Sequence, residues 1–237
     1  MINTWSFSRL SVFEDCPARA KFAYIDKIPE PVRPLPPGKT EHANDRGSRI
    51  HTASELFTTQ NISLAPELKH FAPEHLNLRE RYRALKTNVQ AEQEWGFNRE
   101  WLPVTWSSPD IWARIKLDYF VKLSDTHGVV IDLKTGRRFG NEVKHTQQGL
   151  VYQLAALIKY PSLLKVTTEF WYTDQNEITG STFLRHQGLR FLSGIDARAK
   201  KMTSAKVFPA KPSAYNCRWC PFSQNGTGHC KVGVLVG

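Results

Sequence analysis

No stretch of the 237-residue chain approaches the roughly 20 consecutive apolar residues that a membrane-spanning helix needs. The opening, MINTWSFSRLSVFEDC, has neither the cationic start nor the apolar run of a secretion signal. The expected location is therefore the cytoplasm, where thiols stay reduced, and no membrane partner is expected. Internal repeats and low-complexity tracts are missing, which excludes solenoid and propeller arrays. A phosphate-binding loop is missing too. Pro37-Gly38-Lys39-Thr40 looks like its end, but the glycine required five positions before Gly38 is Arg33, and prolines fill the gap. Nucleotide binding and a helicase motor are not expected.

Positive charge is in good supply: 32 Lys and Arg against 22 Asp and Glu, for a net +10. A solvated basic surface accounts for that. So does a patch for a polyanion, because neutralising phosphates releases counterions. Charge alone does not separate nucleic acid from anionic lipid. An apolar content of 41% at this length fits a soluble globular protein of one large domain or two small ones.

The hydrophobic period changes along the chain. Ser6 or Ser8 can cap a first helix carrying Leu10, Val12 and Phe13, and Pro17 interrupts it. Residues 29–41, PEPVRPLPPGKTE, read as an extended connector. Residues 44–59 read as a helix with Ile50, Ala53, Leu56 and Phe57 on one side, followed by a more polar helix over 74–88. VQAEQEWGF and IWARIKLDYFVKL then alternate with period two, as strands do. SDTHG is a hairpin turn into VVIDLK, where Val130, Asp132 and Lys134 share a face. A helix over 144–159, two strands (VTTEFWYT and ITGSTFL), a last helix over 187–203 and a cysteine-rich tail complete the order. That order predicts an α/β fold with a central mixed sheet flanked by helices.

Asp118, Asp132 and Lys134 stand on neighbouring strands. Phosphodiester hydrolysis needs carboxylates to hold a hard cation such as Mg²⁺, and a second cation to position the nucleophile or offset developing charge. A hairpin would bring these three together. A D-x-K triplet by itself is common on strand edges. Two helical pairs add to it: His51 with Glu55, and Gln148 with Tyr152, each at i and i+4.

The four cysteines are Cys16, Cys217, Cys220 and Cys230. Cys-x-x-Cys is a chelating spacing, and four thiolates suit Zn²⁺ or an iron–sulfur cluster. Cys16 and Cys220 each precede a proline, a flank seen at iron–sulfur sites, while His229 beside Cys230 keeps zinc open. Trp219 and Arg218 could shield such a centre or touch DNA.

The chain order of GSRIH, AEQEWGF, IKLDYF, VVIDLKTG and QGLVY, with the opening SFSRLSVFEDCPARAKFAYIDKI, resembles the PD-(D/E)xK nuclease superfamily, in its RecB-type and CRISPR-associated exonuclease branch. The resemblance covers nearly the whole chain. It implies a restriction-endonuclease-like core and a metal-dependent DNA exonuclease in recombination, repair or CRISPR-type processing. Its products would carry 5′-phosphates, with 5′-to-3′ polarity favoured. By position, His51, Asp118, Asp132 and the carbonyl of Leu133 would ligate Mg²⁺ or Mn²⁺. Lys134 would orient water. Gln148 and Tyr152 would contact the strand near the cut, and Glu94 would match a further acidic position for which Glu92 competes. Asp132 departs from the glutamate of many members, within what the superfamily allows. The cysteines would hold a [4Fe–4S] cluster joining the N- and C-terminal segments, with Zn²⁺ the minority alternative. One nuclease domain over 1–237 is implied, its core about 44–203, with 1–30 and 204–237 as the cluster-bearing cap. Lys116, Arg137, Arg138 and Lys144 would guide the DNA. A bacterial or phage-encoded origin and recombination or CRISPR adaptation partners follow from the same resemblance. Two rival readings are an accessory subunit active only in a larger complex and a non-catalytic DNA-binding module.

Overall fold

A computed structural model describes residues 1–136 and 138–234, so the expectation for Arg137 lies outside the described residues. The chain forms two compact units, Met1–Pro34 with Ser193–Gly237, and Leu35–Leu192.

The larger unit is built on a six-stranded sheet in the order β2-β1-β3-β4-β5-β6. The strands are β1 (Val89–Phe97), β2 (Pro103–Val104), β3 (Ala113–Ser124), β4 (His127–Lys134), β5 (Lys165–Tyr172) and β6 (Glu177–Leu184). Only β4 and β5 run parallel; every other pairing is antiparallel. A parallel pair needs a crossover, and helix α5 (Glu142–Lys159) supplies it. The sheet is mixed, as expected from the sequence, with β2 as an added two-residue edge.

Apolar residues of α3 (Ala43–Gln60) and α4 (Ala72–Ala84) cover one side of this sheet. Ile50, Leu78, Tyr119, Val121, Ile131, Leu133 and Trp171 are buried together there. Asn61, in the left-handed conformation at φ 62°, ends α3. The polar helix expected over 74–88 stops at Ala84, with short 3₁₀ turns at Pro66–Phe71 and Lys86–Asn88 on either side. On the other side, α5 lies close to β5. A Cβ on Gly149 would stand 3.2 Å from the Phe170 ring, so a side chain there would need the ring to give by a few tenths of an ångström.

The last helix expected over 187–203 is two helices, α6 (Arg185–Leu189) and α7 (Leu192–Thr203). The break falls where Arg190 and Phe191 close i−3 bonds to Gln187 and Gly188, and where Phe191 turns edge-on to Phe183. In the smaller unit, α1 (Phe7–Asp15) is capped by Ser6 and α2 (Pro17–Tyr24) starts on its proline, where a missing N–H costs nothing. Glu14 of α1 binds Arg198 of α7 through two 2.7 Å hydrogen bonds. The short helix α8 (Ala214–Arg218) follows. No helix among the described residues is long and apolar enough to cross a membrane.

Candidate active site

The β3–β4 ladder runs from the hairpin turn to Tyr119↔Ile131 and stops there. On the other side of β3, the β1 register passes from Ala91↔Tyr119 to Gln93↔Leu117 without a bridge at Glu92 and Asp118. Glu92 has φ 47°, a left-handed backbone that breaks the regular strand. The sheet is therefore unzipped on both sides of Asp118, and its carboxylate replaces a strand partner. Asp118 Oδ2 accepts the N–H of Leu133 at 2.6 Å. The N–H and C=O of one strand residue point the same way, so the Leu133 carbonyl faces the β3 side as well.

His51 of α3 meets Asp118 from the helix layer, with Nδ1 2.9 Å from Oδ1. Glu92 joins them, and the ligand atoms of His51, Glu92 and Asp118 all lie within 4.8 Å of one another. They line an open cleft with Asn44, Gly47, Ser48, Lys116 and Thr135. Burial first, and the charge of Asp132 second, push the Asp118 carboxyl above its usual range despite its bond to His51. Burial lowers His51, but the Asp118 hydrogen bond and the charges of Asp118, Asp132 and Glu92 outweigh it, and the net shift is upward.

A buried knot of polar groups fixes α3 against β3. His75 Nδ1 lies 2.8 Å from the Phe71 carbonyl, which can only accept, so this nitrogen carries the proton. Burial holds the pKa of His75 down, which leaves Nε2 to accept from Ser54 Oγ at 2.8 Å. Ser54 in turn accepts from Tyr119 Oη at 2.7 Å, and Thr58 lies 3.1 Å from the same phenol. Ser54 follows His51 by one helical turn and Tyr119 follows Asp118 directly, so the knot sets the distance between those two site residues.

On the α5 side, four side chains close a ring. Tyr152 Oη donates to Asp132 Oδ1 at 2.9 Å. Gln148 Nε2 donates to Tyr152 Oη at 2.6 Å, and Lys134 Nζ donates to Gln148 Oε1 at 2.9 Å. Lys134 Nζ also stands 2.5 Å from Asp132 Oδ2. That oxygen is buried and accepts no aligned hydrogen bond, which leaves it a lone pair for a cation. Tyr152 is 5% exposed, and burial followed by the Asp132 charge raises its pKa well above the usual value. Its hydroxyl is thus a donor to Asp132.

The structure brings Asp118, His51 and the Leu133 backbone together, and separately joins Asp132, Lys134, Gln148 and Tyr152. Asp132, expected to ligate beside His51 and Asp118, is not among the three groups whose ligand atoms lie within 4.8 Å of one another; Glu92 is. Glu94 is exposed one rung away, opposite Lys116, and does not enter the cluster. Of the expected DNA-guiding cations, Lys116 pairs with Glu92 at 3.0 Å and Arg138 pairs with Glu177. Arg46 had no signal in the sequence. It donates to the Thr135 carbonyl at 2.8 Å and binds Asp174, clamping the chain just past Lys134. Two carboxylates and an imidazole at one cleft, with a further buried oxygen nearby, suit a hard divalent cation.

All four cysteines line one small cavity of the smaller unit. None is in a disulfide, and the Lys211 N–H points at Cys16 Sγ from 3.4 Å. Burial raises the Cys220 pKa, the guanidinium of Arg19 lowers it, and Cys16 and Cys230 lie close enough to raise it further. Among the described residues, no three sulfurs come within 4.8 Å of one another. Four thiols around one cavity are donors of the kind that hold a thiolate-bound metal group.

A helix-flanked mixed sheet whose β4 carries Asp132 and Lys134 is consistent with a restriction-endonuclease-like core. Residues 4–224 match the family model of the PD-(D/E)XK nuclease superfamily, and the chain belongs to that superfamily. Its structure is similar to the crystal structure of SSO0001, at 15% identity and a TM-score of 0.45, over 98% of this chain and 88% of that one. It is also similar to an alkaline exonuclease (LHK-Exo) from Laribacter hongkongensis, at 12% identity and a TM-score of 0.33, over 85% of this chain and 86% of that one. No curated protein matches it in sequence.

Proposed function

We propose that the chain is a divalent-metal-dependent deoxyribonuclease that trims DNA ends. The observation that carries this reading is the joining of two half-sites through one contact, Asp118 Oδ2 to the Leu133 N–H, which links the His51–Glu92–Asp118 trio to the Asp132–Lys134 ring. A bound Mg²⁺ or Mn²⁺ would polarise the phosphodiester and make water more acidic. His51, Glu92 and Asp118 would hold it, with Asp132 Oδ2 and the Leu133 carbonyl as further oxygens. Lys134 is anchored by Gln148 and can exchange its Asp132 contact for water or a phosphate oxygen. Tyr152 fixes the orientation of the Asp132 carboxylate through its hydrogen bond to Oδ1.

We assign the nuclease core to about residues 44–203, and 1–30 with 204–237 to a cap carrying a [4Fe–4S] cluster on Cys16, Cys217, Cys220 and Cys230. The four thiols lining one cavity support a shared group, and the prolines after Cys16 and Cys220 favour that cluster over zinc. Its role would be a staple across a very long loop, where a cross-link removes much chain entropy. Iron and acid-labile sulfide in anaerobically purified protein test it; zinc without sulfide would overturn it. We assign the protein to the cytoplasm, with recombination or CRISPR-type processing as its setting.

The purified chain, given 5′- and 3′-labelled single and double strands with Mg²⁺, Mn²⁺ or chelator, should degrade DNA from an end, 5′-to-3′ favoured. Cleavage only with added partner proteins would support the accessory-subunit reading instead. Binding without cleavage under every metal and partner condition would end the catalytic one.

A further inference from the structure

The smaller unit is a third of the chain but carries most of its net charge. It holds twelve Lys and Arg against five Asp and Glu, so seven of the chain's ten net positive charges fall there. On it, α8 has two unlike sides. Cys217 is buried among the thiols, while Tyr215 is 86% exposed and Trp219, at its C-cap, 66% exposed. Four positions apart, the two rings project from the same side of one turn. Nothing in their exposure suits a core role, since a tryptophan at the surface forfeits a large apolar burial.

The turn that carries them is held from several directions. Ser213 caps α8 by accepting the Asn216 N–H at 3.0 Å. Asn216 Nδ2 donates to the carbonyls of Asp15 and Lys211 at 3.0 and 2.9 Å. Arg33 donates to the Trp219 carbonyl at 3.0 Å, and the Arg218 guanidinium lies 5.3 Å from the Trp219 ring centre. The backbone is fixed, the rings are largely exposed, and the Arg218 cation stands against one of them.

We infer that Tyr215 and Trp219 form a stacking platform for single-stranded nucleic acid, resting on the nuclease reading above and naming the form of DNA this surface takes. Sequence-tolerant strand binding combines cations along the backbone with aromatic faces for the bases, because every base offers a π-face. Paired bases inside a duplex keep their faces stacked on one another, so the platform selects unpaired ends. Arg218, Arg33 and the unit's net charge complement the phosphates.

The test uses the full chain without divalent metal, so that nothing is cut, and reads anisotropy of a labelled oligothymidylate of about 15 nucleotides. Its companions are an abasic strand of equal length and a blunt duplex. Trp219→Ala and Tyr215→Ala should each weaken oligothymidylate binding about tenfold, and Trp219→Phe should retain it. The abasic strand should bind wild-type protein as weakly as the alanine variants bind the intact strand, and duplex affinity should move less than twofold. Equal oligothymidylate affinity in wild-type and alanine variants, or undiminished abasic binding, overturns the platform, and a protein-docking role for the rings would then take its place. Iron content and melting temperature, read in parallel, show whether Trp219→Ala has disturbed the neighbouring Cys220; if so, Tyr215→Ala decides alone. Wild-type protein that binds the strand but never cuts DNA with Mn²⁺ sinks the nuclease reading and leaves the platform standing.

Discussion

The Tyr152 hydroxyl donates to Oδ1 of Asp132 at 2.9 Å, while the ammonium of Lys134 stands 2.5 Å from Oδ2 of the same carboxylate. One acidic residue is thus aimed by a buried phenol and neutralised by a lysine. Outer partners of this kind orient metal ligands, and their loss typically costs 10–100-fold in affinity or activity. Tyr152→Phe keeps the ring and removes only the donor. We expect it to raise the Mn²⁺ concentration for half-maximal cleavage about tenfold or more, with melting temperature changed by only a few degrees. An unchanged metal requirement would mean that the phenol merely packs.

Glu92 and Glu94 are two residues apart on β1, but only Glu92 lies with His51 and Asp118. Glu92→Gln should weaken metal-dependent cleavage at least about tenfold, and Glu94→Gln should stay within about twofold of wild type. The reverse order would return the metal to the outer rung.

Both shifted groups of the trio point to one pH response. His51 and Asp118 each have a raised pKa, so each keeps its proton to higher pH than usual, and a metal must displace it. Apparent Mn²⁺ affinity should therefore fall as pH drops from about 8 to about 6, read by calorimetric titration. A flat affinity across that window would contradict the assignment of these ligands.

His75 gives a test on stability. Burial lowers its pKa, so the unfolded chain binds the proton more readily than the folded one. The imidazole leaves stability untouched above its ordinary value of 6.5 and withdraws it as pH falls through that value toward the folded pKa. Urea midpoints from about pH 8 to about pH 5 should decline in wild type. His51 pulls the opposite way, so the comparison is with His75→Gln, which should be weaker at high pH and show a shallower decline. Parallel curves would remove His75 from the acid response.

Most of the architecture was legible where a strong period coincided with burial. IKLDYFVKL alternates and became β3, while VVIDLK and VTTEFWYT, short runs rich in β-branched and aromatic residues, became β4 and β5. The two-residue β2 has no period to read, and it begins on a proline, which sheets tolerate at an edge. The split between α6 and α7 follows from Phe191 meeting Phe183, a contact between elements that no local pattern reports. In the site, i and i+4 spacing put Gln148 and Tyr152 on one face, but spacing is silent on whether that face looks outward or into the protein. Choosing Glu92 over Glu94 needed the cross-strand register. Both share a strand face, and only pairing with β3 sets one of them opposite Asp118.

The most direct measurement is end-labelled DNA digestion by the purified chain in Mn²⁺, beside Asp118→Ala and Lys134→Ala. Wild type should release nucleotides from an end and stop with chelator. Each variant should fall by about two orders of magnitude or more while keeping its thermal melt. Folded variants that cut DNA at the wild-type rate would show that the hydrolytic centre lies elsewhere.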